Sequence, residues 1–294
     1  MKRYSLILLF LDTKMNKKLS SKPGPIGVFD SGYGGLTILQ HFRKMLPQYD
    51  YIYLGDNART PYGTRSFEVV YEFTLQAVNR LFEEGCHLVI LACNTASAKA
   101  LRNIQQKDLP NIDPNRRVLG IIRPTVEILD QVTQTKHIGV LGTTGTIQSE
   151  TYNIEITKLF PHIQTLGEAC PMWVPLVENR EYDGAGADYF VKKHLDSILN
   201  RDPMIDTLVL GCTHYPLLIE KIKQYIPTGV RLLSQGEYVA NSLQHYLKAH
   251  PEMDERCTKN GSSKFYTTES VDKFSDIASI FLSEKVEVEH LTLE

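Results

Sequence analysis

The sequence predicts an α/β protein made of two similar doubly wound domains, whose mostly parallel sheets face each other across a cleft. A chain of 294 residues, 42% of them hydrophobic, is long enough to bury two medium α/β cores. Short apolar runs alternate with amphipathic stretches along most of it. In addition, Leu88–Ala96 and Leu208–Pro216 repeat one pattern, in which an apolar strand leads into a cysteine and then into the start of a helix.

Three β-loop-α units are predicted in the first half of the chain, beginning at Pro25. Strands are expected at Ile26–Phe29, Tyr51–Leu54 and Leu88–Ala92. Helices are expected at Leu36–Leu46, at Ser66–Glu84 and from Cys93 through Asn103. The segment Asp108–Arg117, rich in proline, asparagine and aspartate, is predicted to be a link.

The same pattern starts again after a strand at Val118–Ile122, and Ile138–Thr143 (IGVLGT) resembles Ile26–Ser31 (IGVFDS). Further strands are predicted at Ile138–Gly142, Leu208–Gly211, Val230–Leu233 and Phe265–Thr268, and further helices at Thr125–Gln131, Tyr238–Leu247 and Val271–Leu282. The last strand and helix are predicted to return to the first sheet. The predicted domains are a disordered arm (1–24), a first α/β domain with Cys93 (25–118 plus 245–294) and a second α/β domain with Cys212 (119–244).

Composition limits the classes of partner and compartment. A formal charge of −2 leaves no basic footprint for nucleic acid. Five cysteines, an odd number, favour free thiols in a reducing compartment, so we expect a cytoplasmic protein. The apolar run Met1–Leu11 is short for a signal peptide, and Met15 offers a second start. No segment approaches the roughly 20 apolar residues of a membrane span.

The two repeated cysteines are the candidate reactive groups. A thiol between a strand and a helix faces the positive end of the helix dipole, which predicts a lowered pKa and a thiolate at Cys93 and Cys212. A hydrolase needs only one such nucleophile. Two equivalent bases instead fit a reaction that removes a proton from one face of a carbon and returns one to the other, as in racemisation or epimerisation.

Two other roles for the cysteines are considered: packing in the core and binding a metal ion. Cys86 and Cys257 are interpreted as core residues, and Cys170 lies in a segment that shows no strand-to-helix pattern. A metal site formed by Cys93, Cys212 and His214 is not favoured, because Cys212 and His214 would point apart in an extended segment.

The glycine-rich loop after the first predicted strand does not match a nucleotide-binding motif. Gly32, Gly34 and Gly35 lack the spacing of the G-x-G-x-x-G fingerprint. Asp30, Ser31 and the amides that follow offer an acceptor, a hydroxyl and a helix N-terminus, which suit an ammonium and a carboxylate held side by side. The alternative is that Asp30 and Ser31 only cap the helix that follows.

Six motifs in order carry a resemblance to a known family. They are IGVFDSGYGGLT, GDNARTPYG, LACNTASA, LGTTGTI, CPMWVPLVEN and LGCTHYPLL, spread over most of Ile26–Leu218. Together they resemble the cofactor-independent glutamate racemases of bacterial cell-wall synthesis.

The resemblance implies roles for individual residues. Cys93 and Cys212 would transfer the protons, Asp30 would assist Cys93, and Glu178 and His214 would assist Cys212. The residues implied in holding the substrate, besides Asp30 and His214, are Ser31, Tyr62, Gly63, Asn94, Thr95, Thr143, Thr146 and Thr213.

The same resemblance implies interconversion of L-glutamate and D-glutamate for peptidoglycan synthesis, with no cofactor and no metal, in a homodimer. Preorganised donors around the substrate carboxylate would replace the electron sink that pyridoxal phosphate supplies elsewhere. Two alternatives stay open at this point. One is a racemase of a related amino acid such as aspartate, and the other is a two-lobed amino-acid binding protein.

Overall fold

The computed structural model describes residues 22–293 and contains two parallel sheets. The strands are β1 Ile26–Asp30, β2 Tyr51–Gly55, β3 Leu88–Leu91, β4 Arg117–Gly120, β5 His137–Gly142, β6 Gln164–Ala169, β7 Thr207–Gly211, β8 Arg231–Leu233, β9 Ser263–Thr267 and β10 Val288–His290. The first sheet has the order β10-β9-β2-β1-β3-β4, and the second has the order β6-β5-β7-β8. The predicted fold class is therefore confirmed.

Helices cover the faces of both sheets, as parallel strands require. The α-helices are Leu36–Met45, Phe67–Glu83, Asn94–Lys99, Leu101–Asn103, Leu109–Ile112, Ile122–Glu127, Leu129–Val132, Thr144–Gln148, Thr151–Leu159, Trp173–Glu178, Ala185–Arg201, Ile219–Lys223, Gly236–Ala249, Pro251–Asp254 and Val271–Leu282. Short 3₁₀ segments lie at Tyr62–Thr64 and Tyr215–Leu218, and a π-helical turn lies at Ile104–Asp108. Among the described residues, every helix falls short of the length and apolarity that a bilayer crossing needs.

The two sheets repeat one topology. In the first sheet β1 pairs with β2 on one side and with β3 on the other, and β5 pairs with β6 and β7 in the same way. The order β2-β1-β3-β4 thus matches β6-β5-β7-β8. The predicted echo between Ile26–Ser31 and Ile138–Thr143 corresponds to β1 and β5, which occupy equivalent places.

A continuous apolar core joins the two sheets. One cluster holds Val28 and Phe42 of the first sheet's layer together with Leu210 and Val191 of the second sheet's layer, all fully buried. Each such side chain contributes about 1.5–3 kcal/mol relative to leaving it exposed. The helix Gly236–Ala249 packs on Leu36–Met45, and a Cβ on Gly236 would lie 2.2 Å from Cδ2 of His41. The backbones of these helices therefore approach closely.

Several elements differ from the sequence prediction. The helical stretch after Cys93 continues to Ile112. Pro110 does not end it, because this residue stands in the first turn of a new helix, Leu109–Ile112, where a missing backbone N–H removes no intrahelical hydrogen bond. The strands β6 and β10 and the helix Ala185–Arg201 were not predicted. The predicted strand Val118–Ile122 ends at Gly120, and Ile122 already begins a helix.

The predicted domain limits can be compared with the strands and helices, but they remain a prediction. Strand β4 pairs with β3, so the predicted limit at residue 118 falls inside a strand of the first sheet. The limit at 244 falls inside the helix Gly236–Ala249. Strand β9 pairs with β2, as expected of a last unit that returns to the first sheet. Most of the predicted arm (1–21) lies outside the described residues, and Gly24 is hydrogen-bonded to Arg256 and Thr258.

Candidate active site

Both sheets present a polar residue or a thiol at the carboxyl ends of their central strands. Asp30 ends β1 and Cys93 follows β3, while Thr143 follows β5 and Cys212 follows β7. In each sheet the strand order reverses at this pair of strands. Such a switch point is where open α/β sheets bind their ligands.

The two switch points open into one cavity of about 290 Å³. This volume is near the lower end of ligand pockets, which span about 300–1,000 Å³. The predicted residues that line it are Asp30, Ser31, Tyr62, Gly63, Cys93, Asn94, Thr95, Thr143, Glu178, Cys212, Thr213 and His214. Among the described residues, no lysine or arginine lines the cavity. An anionic group bound here would be held by hydroxyls, amides and helix N-termini.

Cys93 is a buried thiol at the start of the helix Asn94–Lys99. Its sulfur accepts a hydrogen bond from the Ala96 amide at 3.4 Å and lies 3.4 Å from the Ser31 hydroxyl oxygen. Burial, followed by the neighbouring Asp30 carboxylate, raises the pKa of Cys93 to about 12. The predicted thiolate at Cys93 is therefore wrong for this structure, because the loss of hydration outweighs the dipole of a six-residue helix.

Cys212 lies beside a histidine and an acid. Its sulfur is 3.9 Å from Nδ1 of His214, and Nε2 of His214 is 3.0 Å from Oε1 of Glu178. Burial alone would lower the pKa of His214, but Cys212 and Glu178 together raise it to about 10. The expectation that Cys212 and His214 point apart is wrong, because residues 212–214 form a bend and turn after β7 instead of an extended segment.

Asp30 connects the two halves of the cavity. Oδ1 accepts a hydrogen bond from the Gly32 amide at 2.7 Å, and Oδ2 accepts one from the Thr213 hydroxyl of the other sheet at 3.3 Å. Burial raises the pKa of Asp30, while the charge of His214 and the two hydrogen bonds act in the opposite direction. Asp30 thus stands between Cys93 on its own side and the His214 cation on the other.

The glycine-rich loop must be small where it meets the second domain. A Cβ on Gly34 would lie 2.4 Å from Nδ1 of His214 and 2.4 Å from Oγ1 of Thr213. The hydroxyl of Thr37 also donates to the Thr213 carbonyl at 3.2 Å. Glycine at position 34 therefore lets the loop close against the Cys212 side of the site.

Three threonines form a second contact between the halves. The Thr95 hydroxyl oxygen is 2.9 Å from that of Thr143 and 3.3 Å from that of Thr146. Thr143 also caps the helix Thr144–Gln148 by accepting from the Thr146 amide at 3.2 Å. Thr146 does not line the cavity but lies behind Thr143, so its contact with a ligand would be indirect.

Tyr62 lines the cavity with its hydroxyl directed to another residue, and Cys170 shows a pattern that the sequence analysis missed. The hydroxyl of Tyr62, predicted to hold the substrate, donates to Oδ2 of Asp56. Cys170 does follow a strand, β6, and precedes the helix Trp173–Glu178, so its strand-to-helix pattern was missed. It is fully buried and outside the cavity lining, although Pro171 lines it.

Sequence reasoning also missed part of the cavity wall. The helix that carries Glu178 contributes Val174 and Pro175, and the loop before Tyr62 contributes Thr60 and Pro61. The signal that could have located that helix is the run Gln164–Pro171, in which a strand leads into a cysteine and a proline. A larger groove of about 620 Å³ borders Lys99 and Arg123 elsewhere, without any predicted site residue. Within residues 22–293, no cluster of three or more His, Cys, Asp or Glu side chains could hold a metal ion.

The fold and the cavity define a two-domain α/β protein in which each domain brings one buried thiol to a shared site. The family model for Asp/Glu/hydantoin racemases matches residues 36–243. Glutamate racemase from Ruegeria sp. strain TM1040 is 37% identical over 274 residues, which cover 90% of this chain and 98% of that protein. Glutamate racemase from Streptococcus suis is 38% identical, covering 92% of this chain and 98% of the relative.

Solved structures agree with these relatives. The crystal structure of glutamate racemase isoform RacE1 from Bacillus anthracis has a TM-score of 0.83 at 37% identity, covering 92% of this chain and 98% of that one. Glutamate racemase from Francisella tularensis in complex with D-glutamate has a TM-score of 0.82 at 32% identity, with the same coverage. The chain belongs to the Asp/Glu/hydantoin racemase family. It is an isomerase, and its predicted resemblance to the glutamate racemases is confirmed, which leaves the binding-protein alternative without support.

Proposed function

We propose that this protein interconverts L-glutamate and D-glutamate by two-base proton transfer, with Cys93 on one face of the α-carbon and Cys212 on the other. The observation that carries the proposal is the placement of both thiols in one cavity at equivalent strand ends of two facing sheets. Each thiol has its own acid-base partner. Asp30 accompanies Cys93, and His214 with Glu178 accompanies Cys212.

The two sides differ in charge, and this difference suits a reaction that runs both ways. On the L-glutamate side the His214 cation faces the Cys212 sulfur, where it stabilises the negative charge of an attacking thiolate. Cys93, whose raised pKa keeps it protonated, then delivers its proton to the opposite face. In the reverse direction the substrate ammonium beside Asp30 offsets the carboxylate charge and thereby eases deprotonation of Cys93.

The carboxylates of glutamate would be held without lysine or arginine. Asn94, Thr95, Thr143 and Thr213 supply amide and hydroxyl donors, and the N-termini of the helices that begin at Asn94 and Thr144 add their dipoles. Fixed donors of this kind stabilise the charge that develops when the α-proton leaves. No cofactor takes part in this scheme.

The role in the cell follows from the reaction. We infer that the D-glutamate produced enters peptidoglycan synthesis in the cytoplasm and that the protein acts as a homodimer. Aspartate racemisation is the competing activity, and a panel of L-amino acids read by optical rotation separates it from glutamate racemisation. Turnover of L-aspartate with none of L-glutamate would contradict the proposal.

The test of the mechanism uses one variant for each face. In Cys93→Ala and Cys212→Ala, full racemisation should fall by about 10³-fold or more, because each lacks one proton carrier. In heavy water, Cys212→Ala should exchange the α-proton of D-glutamate through Cys93, and Cys93→Ala that of L-glutamate through Cys212. Proton NMR measures the enantiomer preference of this exchange.

Cys170→Ala is the matched control, since Cys170 is also buried but does not line the cavity. It should racemise glutamate within about twofold of the wild type. Near-full activity in either site variant would contradict the two-thiol mechanism. A loss in Cys170→Ala as large as theirs would do the same.

A further inference from the structure

A buried hydrogen-bond network lies directly behind Asn94, and the proposed mechanism does not use it. Nδ2 of Asn94 donates to Oε1 of Gln235 at 2.7 Å, and Oδ1 of Asn94 accepts from the Tyr152 hydroxyl at 2.8 Å. Nε2 of Gln235 donates to the hydroxyl oxygens of Tyr152 at 2.9 Å and of Thr125 at 2.8 Å. None of these four side chains is more than 4% exposed.

A backbone carbonyl sets the direction of every hydrogen bond in this network. The Thr125 hydroxyl donates to the Ile121 carbonyl at 2.8 Å, and a carbonyl can only accept. Thr125 must therefore accept from Gln235, which places Nε2 of Gln235 on that side and Oε1 towards Asn94. Turning the Gln235 amide around would set its oxygen against the Thr125 oxygen, with no proton between them.

The orientation of Asn94 follows from that of Gln235. Since Oε1 of Gln235 can only accept, Asn94 must present its nitrogen there. The Tyr152 hydroxyl accepts from Gln235 and so donates to Oδ1 of Asn94. These hydrogen bonds use one N–H group and one oxygen lone pair of the Asn94 side-chain amide. The other N–H takes no part in the network, and Asn94 lines the cavity next to Cys93.

We propose that Gln235 is a positioning residue that fixes which end of the Asn94 amide meets the substrate, through the hydrogen-bonded ring of Asn94, Gln235 and Tyr152 and the anchoring bond from Gln235 to Thr125. The inference rests on the proposed function, in which Asn94 contacts glutamate. Gln235 does not line the cavity itself, so it acts only through Asn94. Asn94, Thr125 and Tyr152 lie in three separate helices, and Gln235 stands just before a fourth, Gly236–Ala249, so the network also links the start of the Cys93 helix to other elements around the site.

The test is Gln235→Glu, which keeps the shape but removes both N–H donors to Thr125 and Tyr152. The Tyr152 hydroxyl can then donate to the new carboxylate, which leaves Oδ1 of Asn94 without its partner. We expect the KM for glutamate to rise by about 10- to 30-fold with a smaller fall in kcat, as for the loss of a hydrogen bond in a buried site. Partial unfolding would lower the apparent kcat and leave KM unchanged.

Two further variants sharpen the result. Tyr152→Phe removes the donor to Asn94 and one of the two acceptors of Gln235 Nε2, but it keeps the hydrogen bond from Gln235 to Thr125. It should therefore raise KM less than Gln235→Glu, while the double variant should match Gln235→Glu alone because both act through one ring. Gln105→Glu is the matched control. Its Nε2 donates to the Val118 carbonyl away from the cavity, so its KM should equal that of the wild type. When the carboxyl introduced by Gln235→Glu is protonated, it can again donate one hydrogen bond, so the KM ratio of this variant to wild type should fall as the pH is lowered.

A structural readout separates this inference from the proposed function. In the wild type, the side-chain amide protons of Asn94 should exchange slowly with water by NMR. This protection should be reduced in Gln235→Glu, because Oδ1 of Asn94 loses its partner and the amide is then held only by its hydrogen bond to the new carboxylate. Unchanged protection, or a KM within twofold of wild type in both Gln235→Glu and Tyr152→Phe, would overturn the inference. A wild-type protein that does not racemise glutamate would instead contradict the proposed function, and the exchange data would still decide the role of Gln235.

Discussion

Replacing Glu178 with glutamine removes one negative charge beside His214 and keeps an acceptor oxygen for Nε2, which is 3.0 Å away. An opposite charge at this distance raises the pKa of a cation by about 1–3 units. The pKa of His214, about 10 in the wild type, should therefore fall to about 7–9 in Glu178→Gln. At pH 8 the neutral fraction of His214 would rise from about 1% to between about 10% and 90%.

The kinetic consequence has a definite sign. In the wild type His214 stays cationic from pH 7 to 9, so its charge on the Cys212 side is constant across that range. In Glu178→Gln the charge is lost as the pH rises through the lowered pKa, and kcat/KM should fall with it. The fall must be equal for L-glutamate and D-glutamate, because enantiomers have equal free energies in water and the equilibrium constant is unchanged. Only kcat and KM taken separately can differ between the two directions.

The assay measures kcat/KM from pH 7 to 9 in both directions, with the His214 ring proton followed by NMR. Asp202→Asn is the control, because Asp202 pairs with Nδ1 of His137 at 2.8 Å at the start of β5, away from the cavity. Its pH profile should parallel that of the wild type. A Glu178→Gln profile that also runs parallel to wild type from pH 7 to 9 would refute the reasoning.

Two further predictions concern the loop before the first helix and the pH dependence of stability. Gly34→Ala places a methyl group 2.4 Å from the His214 ring, so the ring must move. We expect kcat/KM to fall by about 100-fold, while thermal unfolding shows that the variant is folded. A kcat/KM within twofold of wild type would contradict the close approach. Burial raises the pKa of Cys257 to about 12 from its ordinary 9.0, so unfolding releases its proton between about pH 9 and 12 and becomes easier there, by about 1.4 kcal/mol per pH unit. In Cys257→Ala the free energy of unfolding should fall less steeply with pH over this range, by about 1.4 kcal/mol per pH unit. Urea denaturation at a series of pH values measures this slope for both proteins, and equal slopes would contradict a raised pKa of Cys257.

Much of the fold could be predicted because its signals are local. Ser66 accepts from the Val69 amide at the start of the helix Phe67–Glu83, and Gly85, at φ +93°, follows its end. The apolar runs that became β1, β3 and β7 are buried on both faces, which gives the uninterrupted hydrophobic segments typical of parallel strands. Strand β6 escaped because its residues are only partly buried and Gln164–Ala169 holds few large apolar side chains.

The location of both thiols could also be predicted, since a residue between a strand and a helix lies at the binding edge of an α/β sheet whatever the details of packing. The sequence by itself thus determined that Cys93 and Cys212 occupy equivalent places at the edges of two sheets.

Only the tertiary structure decided how the site is charged and held. Helix position alone predicted a thiolate at Cys93, but burial and Asp30 raise its pKa, and neither effect can be computed without knowing what surrounds the sulfur. The pairing of His214 with Glu178 joins residues 36 positions apart. The link from Asn94 to Gln235 joins residues 141 positions apart. Such contacts depend on how two separately specified domains close on each other, and desolvation depends on the closed whole, so no local pattern in the chain encodes them.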